Sequence, residues 1–398
     1  MRLTSFWNPR PLALCGLSLS MIACGGGSAS SGGGTPPPPP SSEILYASNS
    51  DNSIFAFSID PNTGKLDQTA TETPGGDTVG NTGMVLTPSG SFLYAANDVN
   101  SQINGYATNS SGGLSLIAGS PFTVQPTSEG FGGFAIDPGG KFLYAASQSG
   151  YGVVGFTIDA TMGSLTSIPG GPFSSPGAGG PPLELAIDPT GKFLYASASF
   201  DDAFLPPGYN IWGFTIDPQT GALTSMPGSP FLTQGNSQPD GIRIDASGKF
   251  LYVALSNAGS VAAFTIDSTT GALTSVPGSP FATASTEATQ TYEIALTPSG
   301  KFLYAFNLNG STMAAFTIDS TSGALTTVAD SPFPVTEAEG GIIVDPSGKF
   351  LYVSITSSLS SAFVIFDIDA STGALSPSPA SPVAGSEEPL GLAVARFQ

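Results

Sequence analysis

Seven copies of one short phrase constrain this chain more than any other feature. The phrase reads KFLYV or a close variant of it, and its tyrosine recurs at intervals of roughly 50 residues. The tyrosines are Tyr46, Tyr94, Tyr144, Tyr195, Tyr252, Tyr304 and Tyr352. Seven copies at one period indicate a repeat architecture in which each copy is one structural unit.

Each full copy contains four short apolar runs separated by turn residues. In the fifth copy these runs are GIRID, KFLYVAL, VAAFTID and ALTSVPGSPF. Short runs rich in Val, Ile, Phe, Tyr and Thr predict β-strands, here labelled A to D. Asp, Pro and Gly between A and B, and Asp, Thr and Gly between C and D, fit the chemistry of tight turns. The recurring aspartates are therefore predicted to cap turns rather than to bind metal.

The two ends of the chain carry complementary fragments of one unit. The first copy begins with strand B at Glu43, whereas Leu390 to Ala395 form a strand A that no further strand follows. Joining these fragments completes the seventh sheet and leaves no open edge, as a closed ring requires. The sequence therefore predicts an all-β fold: a seven-bladed β-propeller of four-stranded antiparallel blades, closed by pairing of the C-terminal strand with the N-terminal blade.

The N-terminal segment has the features of an export signal. Residues 1–23 begin with Arg2 and Arg10 and continue with a short apolar stretch, which predicts a signal peptide. Cys24 lies in the lipobox-like MIACG and is predicted to be lipidated. Residues 24–42, rich in Gly, Ser and Pro, predict a tether, and residues 43–398 the propeller. We therefore expect a bacterial cell-envelope lipoprotein, on the periplasmic or extracellular side, that contacts the membrane only through its lipid anchor.

The charge of the chain limits its partners and its chemistry. Ten basic and 29 acidic residues give a net charge of −19, and histidine is absent. An acidic surface repels phosphate backbones, so nucleic acid is not an expected partner. The absence of histidine removes the commonest general base and metal ligand. No cofactor or metal site is predicted, with Ca²⁺ at the acidic loops as the one option.

The repeated phrases resemble those of a known family. DPSGKFLYV, a following VxxFxID strand and TGALTxVxGSPF are similar to the lactonase-type propellers, which include 6-phosphogluconolactonase-like and carboxymuconate-cyclase-like proteins and are close to the YVTN-repeat propellers. The resemblance spans residues 43–398 and implies a seven-bladed propeller with a lactonase-like hydrolase activity. The matching residues are structural, so the resemblance points to the fold more strongly than to the activity.

One face of the predicted ring carries irregular loops and is the expected place of a site. In a four-stranded blade the D–A and B–C connections share this face, and irregular loops carry function more often than uniform turns do. The fourth copy has a longer B–C loop. We expect this loop to form either the rim of a binding site at the channel mouth or a solvent-exposed insertion. The candidate binding residues on this face are Glu129, Asp201, Asp202, Tyr209, Asp240, Tyr292 and Glu339.

Strand A is expected to line the central channel, where three residues break the pattern. Its first position is glycine in five copies but Glu184 and Glu293 in two, and Arg243 lies on the blade between them. These three are the candidate catalytic residues: a carboxylate as base and Arg243 as the group that stabilises developing negative charge. The alternative is that Arg243 only neutralises two partly buried acids.

The sequence leaves several functions open. The first is a non-catalytic binding or scaffold module that contacts polysaccharide or peptide through its acidic loop face, which fits the absence of a nucleophile motif. The second is a lactonase-like hydrolase acting on a small lactone, with Glu184 or Glu293 as base. A phosphorylated lactone is disfavoured because this face offers little positive charge besides Arg243. A glycosidase or lyase with paired carboxylates is a third option that depends on the distance between them.

Overall fold

The chain folds into seven antiparallel β-sheets, each one blade. The computed structural model describes residues 42–49, 53–72, 83–97, 101–124, 130–148, 152–174, 180–198, 210–233, 237–283, 290–308, 310–335, 340–357, 360–384 and 389–397. The helical content of these ranges is a single 3₁₀ turn, Ser256–Ala258. Within them no helix is long and apolar enough to cross a bilayer.

Every blade has the order A-B-C-D from the channel outward. The A strands are β4 (Met84–Leu86), β9 (Phe131–Ile136), β13 (Pro182–Ile187), β18 (Pro239–Ile244), β23 (Thr291–Leu296), β28 (Ile342–Val344) and β33 (Pro389–Phe397). The B strands are β1 (Ser42–Asn49), β5 (Phe92–Asn97), β10 (Phe142–Ser147), β14 (Phe193–Ala198), β19 (Phe250–Leu255), β24 (Phe302–Asn307) and β29 (Phe350–Ser357). The C strands are β2 (Ile54–Ile59), β6 (Gln102–Thr108), β11 (Gly152–Ile158), β15 (Asn210–Ile216), β20 (Ser260–Ile266), β25 (Thr312–Ile318) and β30 (Ser360–Ile368).

The outer D strands are short. They are β3 (Leu66–Glu72), β7 (Leu114–Leu116), β12 (Leu165–Ser167), β16 (Leu223–Ser225), β21 (Leu273–Ser275), β26 (Leu325–Thr327) and β31 (Leu375–Pro377). In five blades a two-residue strand follows and pairs with the other end of strand C: β8 (Phe122–Thr123), β17 (Phe231–Leu232), β22 (Phe281–Ala282), β27 (Phe333–Pro334) and β32 (Val383–Ala384).

The ends of the chain close the ring as predicted. Strand β33 pairs antiparallel with β1, with Tyr46 opposite Ala393. The Gly391 amide donates to the Ser48 hydroxyl at 3.1 Å, and Arg396 lies 3.6 Å from the Glu43 carboxylate. The N-terminal blade therefore obtains its inner strand from the other end of the chain, which confirms the predicted closure.

The hydrophobic core is divided into seven clusters, one between each pair of neighbouring blades. Because the B and C strands are covered on both faces, their side chains are apolar at successive positions rather than at alternate ones. At the seam between the last blade and the first, the rings of Phe57 and Phe363 meet edge to face at 5.1 Å. The seam is thus packed like the other interfaces.

Six of the seven recurrent tyrosines, all except Tyr46, link one blade to the next through a hydrogen bond. The buried hydroxyl of Tyr144 donates to the carbonyl oxygen of Gly221 at 2.7 Å, and Tyr352 donates to Gly64 across the seam at 2.9 Å. Equivalent bonds join Tyr94 to Gly163, Tyr195 to Gly271, Tyr252 to Gly323 and Tyr304 to Gly373. These tyrosine side chains serve the blade interfaces rather than a ligand surface.

Removing one of these hydroxyls should weaken the ring measurably. Tyr144→Phe leaves the buried Gly221 carbonyl without this donor, so we expect it to lower the free energy of unfolding by about 1–2 kcal/mol. Urea unfolding followed by circular dichroism measures the difference. A midpoint that equals the wild-type value would show that the bond adds nothing to stability.

The repeated aspartates cap turns. In the last A–B turn, Asp345 accepts hydrogen bonds from the backbone amides of Lys349 and Phe350 at 2.9 and 2.7 Å. In the fourth C–D turn, Asp217 accepts from the amides of Gln219 and Thr220, and these bonds lower the pKa of its carboxyl. The interpretation of these residues as turn caps is confirmed.

Strand D differs from the single run that the sequence predicts. In the fifth blade, β21 and β22 are separated by a turn that contains Gly278 with φ of 91°. Here the Ser279 hydroxyl accepts a hydrogen bond from the Ala263 amide of strand C at 2.9 Å. Where strand D is interrupted, the serine hydroxyl of the GSPF phrase thus takes the place of the backbone carbonyl that a continuous strand would offer to strand C. The first blade lacks this phrase, and its β3 runs unbroken.

Candidate functional site

Two glycines near the start of the inner strands lie against the backbone of the next blade. A Cβ atom on Gly83 would lie 2.6 Å from the carbonyl oxygen of Gly132. A Cβ atom on Gly132 would overlap the carbonyl of Leu183 on the next blade. At Gly83 and Gly132, therefore, a side chain would collide with the backbone of the neighbouring blade.

Each of the two glutamates at this level lies close to a glycine of the preceding blade. The Glu184 carboxylate lies over Gly133, where a Cβ atom would be 2.5 Å from Oε2. Gly241 is likewise close to the backbone of Glu293, with 3.2 Å from the ideal Cβ position to its Cα. The Glu184 amide donates to the buried Ser197 hydroxyl at 3.1 Å, which holds β13 against β14 at this point.

The structure brings the three predicted channel residues together. Arg243 Nη2 donates to Glu293 Oε2 at 3.1 Å, and its Nη1 lies 3.6 Å from Glu184 Oε2. Nη1 also donates to the carbonyl of Ile242 at 2.8 Å. The side chains are 34% (Arg243), 28% (Glu184) and 15% (Glu293) exposed. This exposed surface faces an internal cavity, and the guanidinium keeps further N–H groups for a ligand.

The surroundings of the three groups shift their proton affinities. Burial, and next the charge of Glu293, raise the pKa of Glu184 to about 7 despite the opposing effect of Arg243. Burial also raises the pKa of Glu293, with Arg243 again opposing it. For Arg243, burial alone would lower the pKa, but the two carboxylates outweigh it and raise the pKa above its ordinary value. Near neutral pH the site therefore holds a permanent cation beside a carboxyl group that can gain or lose a proton.

Two neighbouring cavities border this group. The channel cavity, of about 360 Å³, is walled by Glu184, Arg243, Glu293 and by glycines and apolar residues of the other inner strands. The mouth cavity, of about 250 Å³, lies toward the D–A and B–C loops and is lined by Glu184, Glu293, Gly132, Gln148, Leu183, Gln238, Asp240, Gly241 and Tyr292. Glu184 and Glu293 border both cavities.

Two of the predicted binding residues, Asp240 and Tyr292, line the mouth cavity. Burial raises the pKa of Asp240 to about 6, although hydrogen bonds to Ser256 and Gln238 oppose the change. Burial and the nearby carboxylates raise the pKa of Tyr292 to about 12, so its hydroxyl stays protonated. Gln148 and Gln238 also line this cavity, and the sequence analysis did not identify them. Their position at strand ends beside irregular loops is the one signal that could have indicated them.

The other predicted residues lie outside the described part of the chain. These are Glu129, Asp201, Asp202, Tyr209, Glu339 and the lipidation residue Cys24. Their roles remain predictions, as do the signal peptide and the tether. Among the described residues, no group of three or more Cys, Asp or Glu could hold a metal ion, and the Ca²⁺ option remains a prediction too.

Comparison with known proteins identifies the family. The lactonase seven-bladed β-propeller family matches residues 40–179, 180–282 and 278–389. A 6-phosphogluconolactonase of Formosa agariphila is 35% identical over 91 residues, which are 22% of this chain and 25% of that protein. The chain thus matches about a quarter of the length of this curated relative.

Solved structures show the same fold over nearly the whole ring. A putative 6-phosphogluconolactonase from Bacteroides fragilis has 24% identity and a TM-score of 0.72, covering 90% of this chain and 99% of that chain. The periplasmic gluconolactonase of Pseudomonas aeruginosa has 19% identity and a TM-score of 0.74, covering 89% and 99%. Seven closed blades and a family match along most of the chain lead to one conclusion: the chain belongs to the lactonase family of seven-bladed β-propellers.

Proposed function

We propose that this protein hydrolyses an uncharged lactone in the channel cavity. One observation carries the proposal: a guanidinium is held between two carboxyl groups at the wall of the channel cavity, where burial raises the pKa of Glu184 to about 7. Ester hydrolysis needs a base for water and a positive group for the oxyanion, and both are present here. Membership of the lactonase family supports the same chemistry.

The proposed reaction gives each of the three residues a separate role. The Glu184 carboxylate takes a proton from water as the water oxygen attacks the lactone carbonyl carbon. The carbonyl oxygen gains the negative charge and faces Arg243, which stabilises it. When the carbonyl reforms, the ring C–O bond breaks, and the ring oxygen takes the proton back from Glu184. The product is a hydroxy acid, and Glu293 acts as a positioning residue that orients Arg243.

The charges around the cavities favour a substrate without a phosphate group. Arg243 is the one basic side chain among the described residues that line them, and two carboxylates already engage it. Asp240 adds a third carboxyl at the mouth. A phosphorylated lactone would therefore meet net repulsion. The expected export of the protein agrees with this preference, because it would separate the site from cytoplasmic sugar phosphates.

The scaffold hypothesis finds less support. It rested on the predicted lipid tether and on the absence of histidine and of a nucleophile motif, with the acidic loop face as the contact surface. Of the acidic candidates on that face, Asp240 lines the mouth cavity, and Glu129, Asp201, Asp202 and Glu339 are outside the described residues. The family match favours a hydrolase over a binding module. A lipid-anchored position in the bacterial envelope remains part of the proposal and is compatible with either activity.

A panel of lactones tests the proposed reaction. Purified protein should accelerate the opening of aldono-1,5- and 1,4-lactones above their spontaneous rate, followed by acid release. The value of kcat/KM for 6-phosphogluconolactone should be lower by roughly tenfold or more because of repulsion at the mouth. A panel without acceleration by folded protein would contradict the proposal.

The pH dependence of the reaction should follow Glu184. Since the base must be ionised, kcat/KM should fall about tenfold for each pH unit below roughly 7 and level off above it. Initial rates between pH 5 and 8.5, corrected for spontaneous hydrolysis, measure this profile. A profile that stays flat down to pH 5 would exclude a base with this raised pKa.

A further inference from the structure

The mouth cavity adjoins the proposed reaction site. Both cavities are bordered by Glu184 and Glu293, so a ligand that reacts beside these residues has the mouth cavity next to it on the side of the loops. Their sizes fit a small-molecule site of about 300–1,000 Å³ when taken together. The mouth cavity therefore has room for a part of the substrate that does not itself react.

The lining of the mouth cavity suits hydroxyl groups. Gln148 and Gln238 provide amides that both donate and accept, and Asp240 provides a carboxyl acceptor. Asp240 is 7% exposed and accepts a hydrogen bond from Gln238 Nε2 at 3.2 Å, so these two groups are oriented before a ligand arrives. Among the described lining residues, Leu183 is the one aliphatic side chain, and none is basic.

Tyr292 adds an apolar surface to this polar lining. It is 48% exposed, in contrast to the buried tyrosines of the blade interfaces. Its hydroxyl is near enough to Glu293, Asp240 and Glu184 for their charges to affect its pKa, which places the side chain beside the same carboxyls. An exposed aromatic ring next to planar polar groups can pack against the C–H face of a sugar ring while those groups bind its hydroxyls.

We propose that the mouth cavity binds a glycosyl unit attached to the lactone, so that the preferred substrate is the lactone of an oligosaccharide rather than that of a single sugar. This inference rests on the proposed function, because it places the lactone ring in the channel cavity. The mouth cavity then contributes affinity and specificity through Tyr292, Asp240 and the two glutamines.

The first test compares lactones that share one reacting ring. We expect kcat/KM for cellobiono-, maltobiono- or lactobiono-lactone to exceed that for glucono-1,5-lactone by roughly tenfold or more in the wild type. Tyr292→Ala should bring this ratio to within about threefold of one, whereas Tyr292→Phe should retain it because the ring remains. Met162→Ala, which removes a similarly exposed side chain in a C–D turn on the opposite face, should leave both values unchanged.

Two results would overturn the inference. One is a wild-type ratio near one for all three disaccharide lactones, and the other is an equal loss for both substrate classes in Tyr292→Ala. Calorimetric titration of Glu184→Gln with the three parent disaccharides provides a readout that needs no catalysis. Disaccharide binding that Tyr292→Ala removes, in a protein that opens no lactone, would reject the proposed function but retain the glycosyl site.

Discussion

Glu184→Gln should lower kcat/KM for lactone opening by roughly 10²–10⁴-fold, the usual contribution of a general base. Glutamine preserves the shape over Gly133 but cannot take a proton from water. The fold should not suffer. A carboxyl whose pKa rises from 4.5 to about 7 on folding stabilises the protein when protonated, and that stabilisation is lost as the pH rises through 7. At pH 8 the variant, which has no such charge to bury, should therefore melt no lower than the wild type.

Glu43→Gln is a matched control for this experiment. Glu43 also has a pKa raised by burial and also lies 3.6 Å from an arginine, Arg396, but it is at the blade seam outside the cavities. This variant should keep wild-type kinetics. Initial-rate kinetics and melting curves for both variants at pH 8 distinguish a loss of the base from a loss of the fold. If Glu184→Gln retained more than about a third of the activity, Glu184 would not be the base.

Deletion of residues 389–398 should abolish cooperative folding of the ring. Strand β33 pairs with β1 from Ser42 to Asn49, buries Ala393 and Ala395, and supplies Gly391 and Leu392 to the channel wall. Its removal exposes the inner edge of β1 and opens two apolar clusters. The expected loss is comparable with the whole stability of an ordinary domain, about 5–15 kcal/mol. Thermal unfolding followed by circular dichroism measures it.

A circular permutant separates loss of the strand from loss of chain length. Placing residues 389–397 before Ser42 through a short linker, with new termini in another loop, should restore one cooperative transition. Deletion of residues 25–39, within the predicted tether, is the second control and should leave the melting temperature unchanged. A truncated ring that unfolds with the wild-type midpoint would mean that closure by β33 is dispensable.

The fold was predictable because its determinants are local and repeated. The turn at Asp345, the buried Tyr352 and the strand between them recur in copy after copy, so each copy supports the interpretation of the others. Ring closure followed from fragments at the two ends. The interruption of strand D was not predicted, although the Pro277 to Pro280 segment inside ALTSVPGSPF has the composition of a turn. The role of Ser279 depends on a hydrogen bond to another strand, which the run itself does not reveal.

The candidate site was predictable only in part. Glu184, Arg243 and Glu293 were identifiable as exceptions in an otherwise regular column of glycines and small residues. Their mutual distances depend on the radius of the channel, and the raised pKa of Glu184 depends on burial. Neither the channel radius nor the degree of burial of Glu184 can be deduced from the sequence. Gln148 and Gln238 were missed because each belongs to a loop without a counterpart in the other copies.

The contact between Gly133 and the Glu184 carboxylate couples two neighbouring blades at the channel wall. A Cβ atom on Gly133 would lie 2.5 Å from Glu184 Oε2, so a larger residue at position 133 would turn the carboxylate away from its present place. The orientation of Glu184 is therefore controlled in part by a residue of the blade before it.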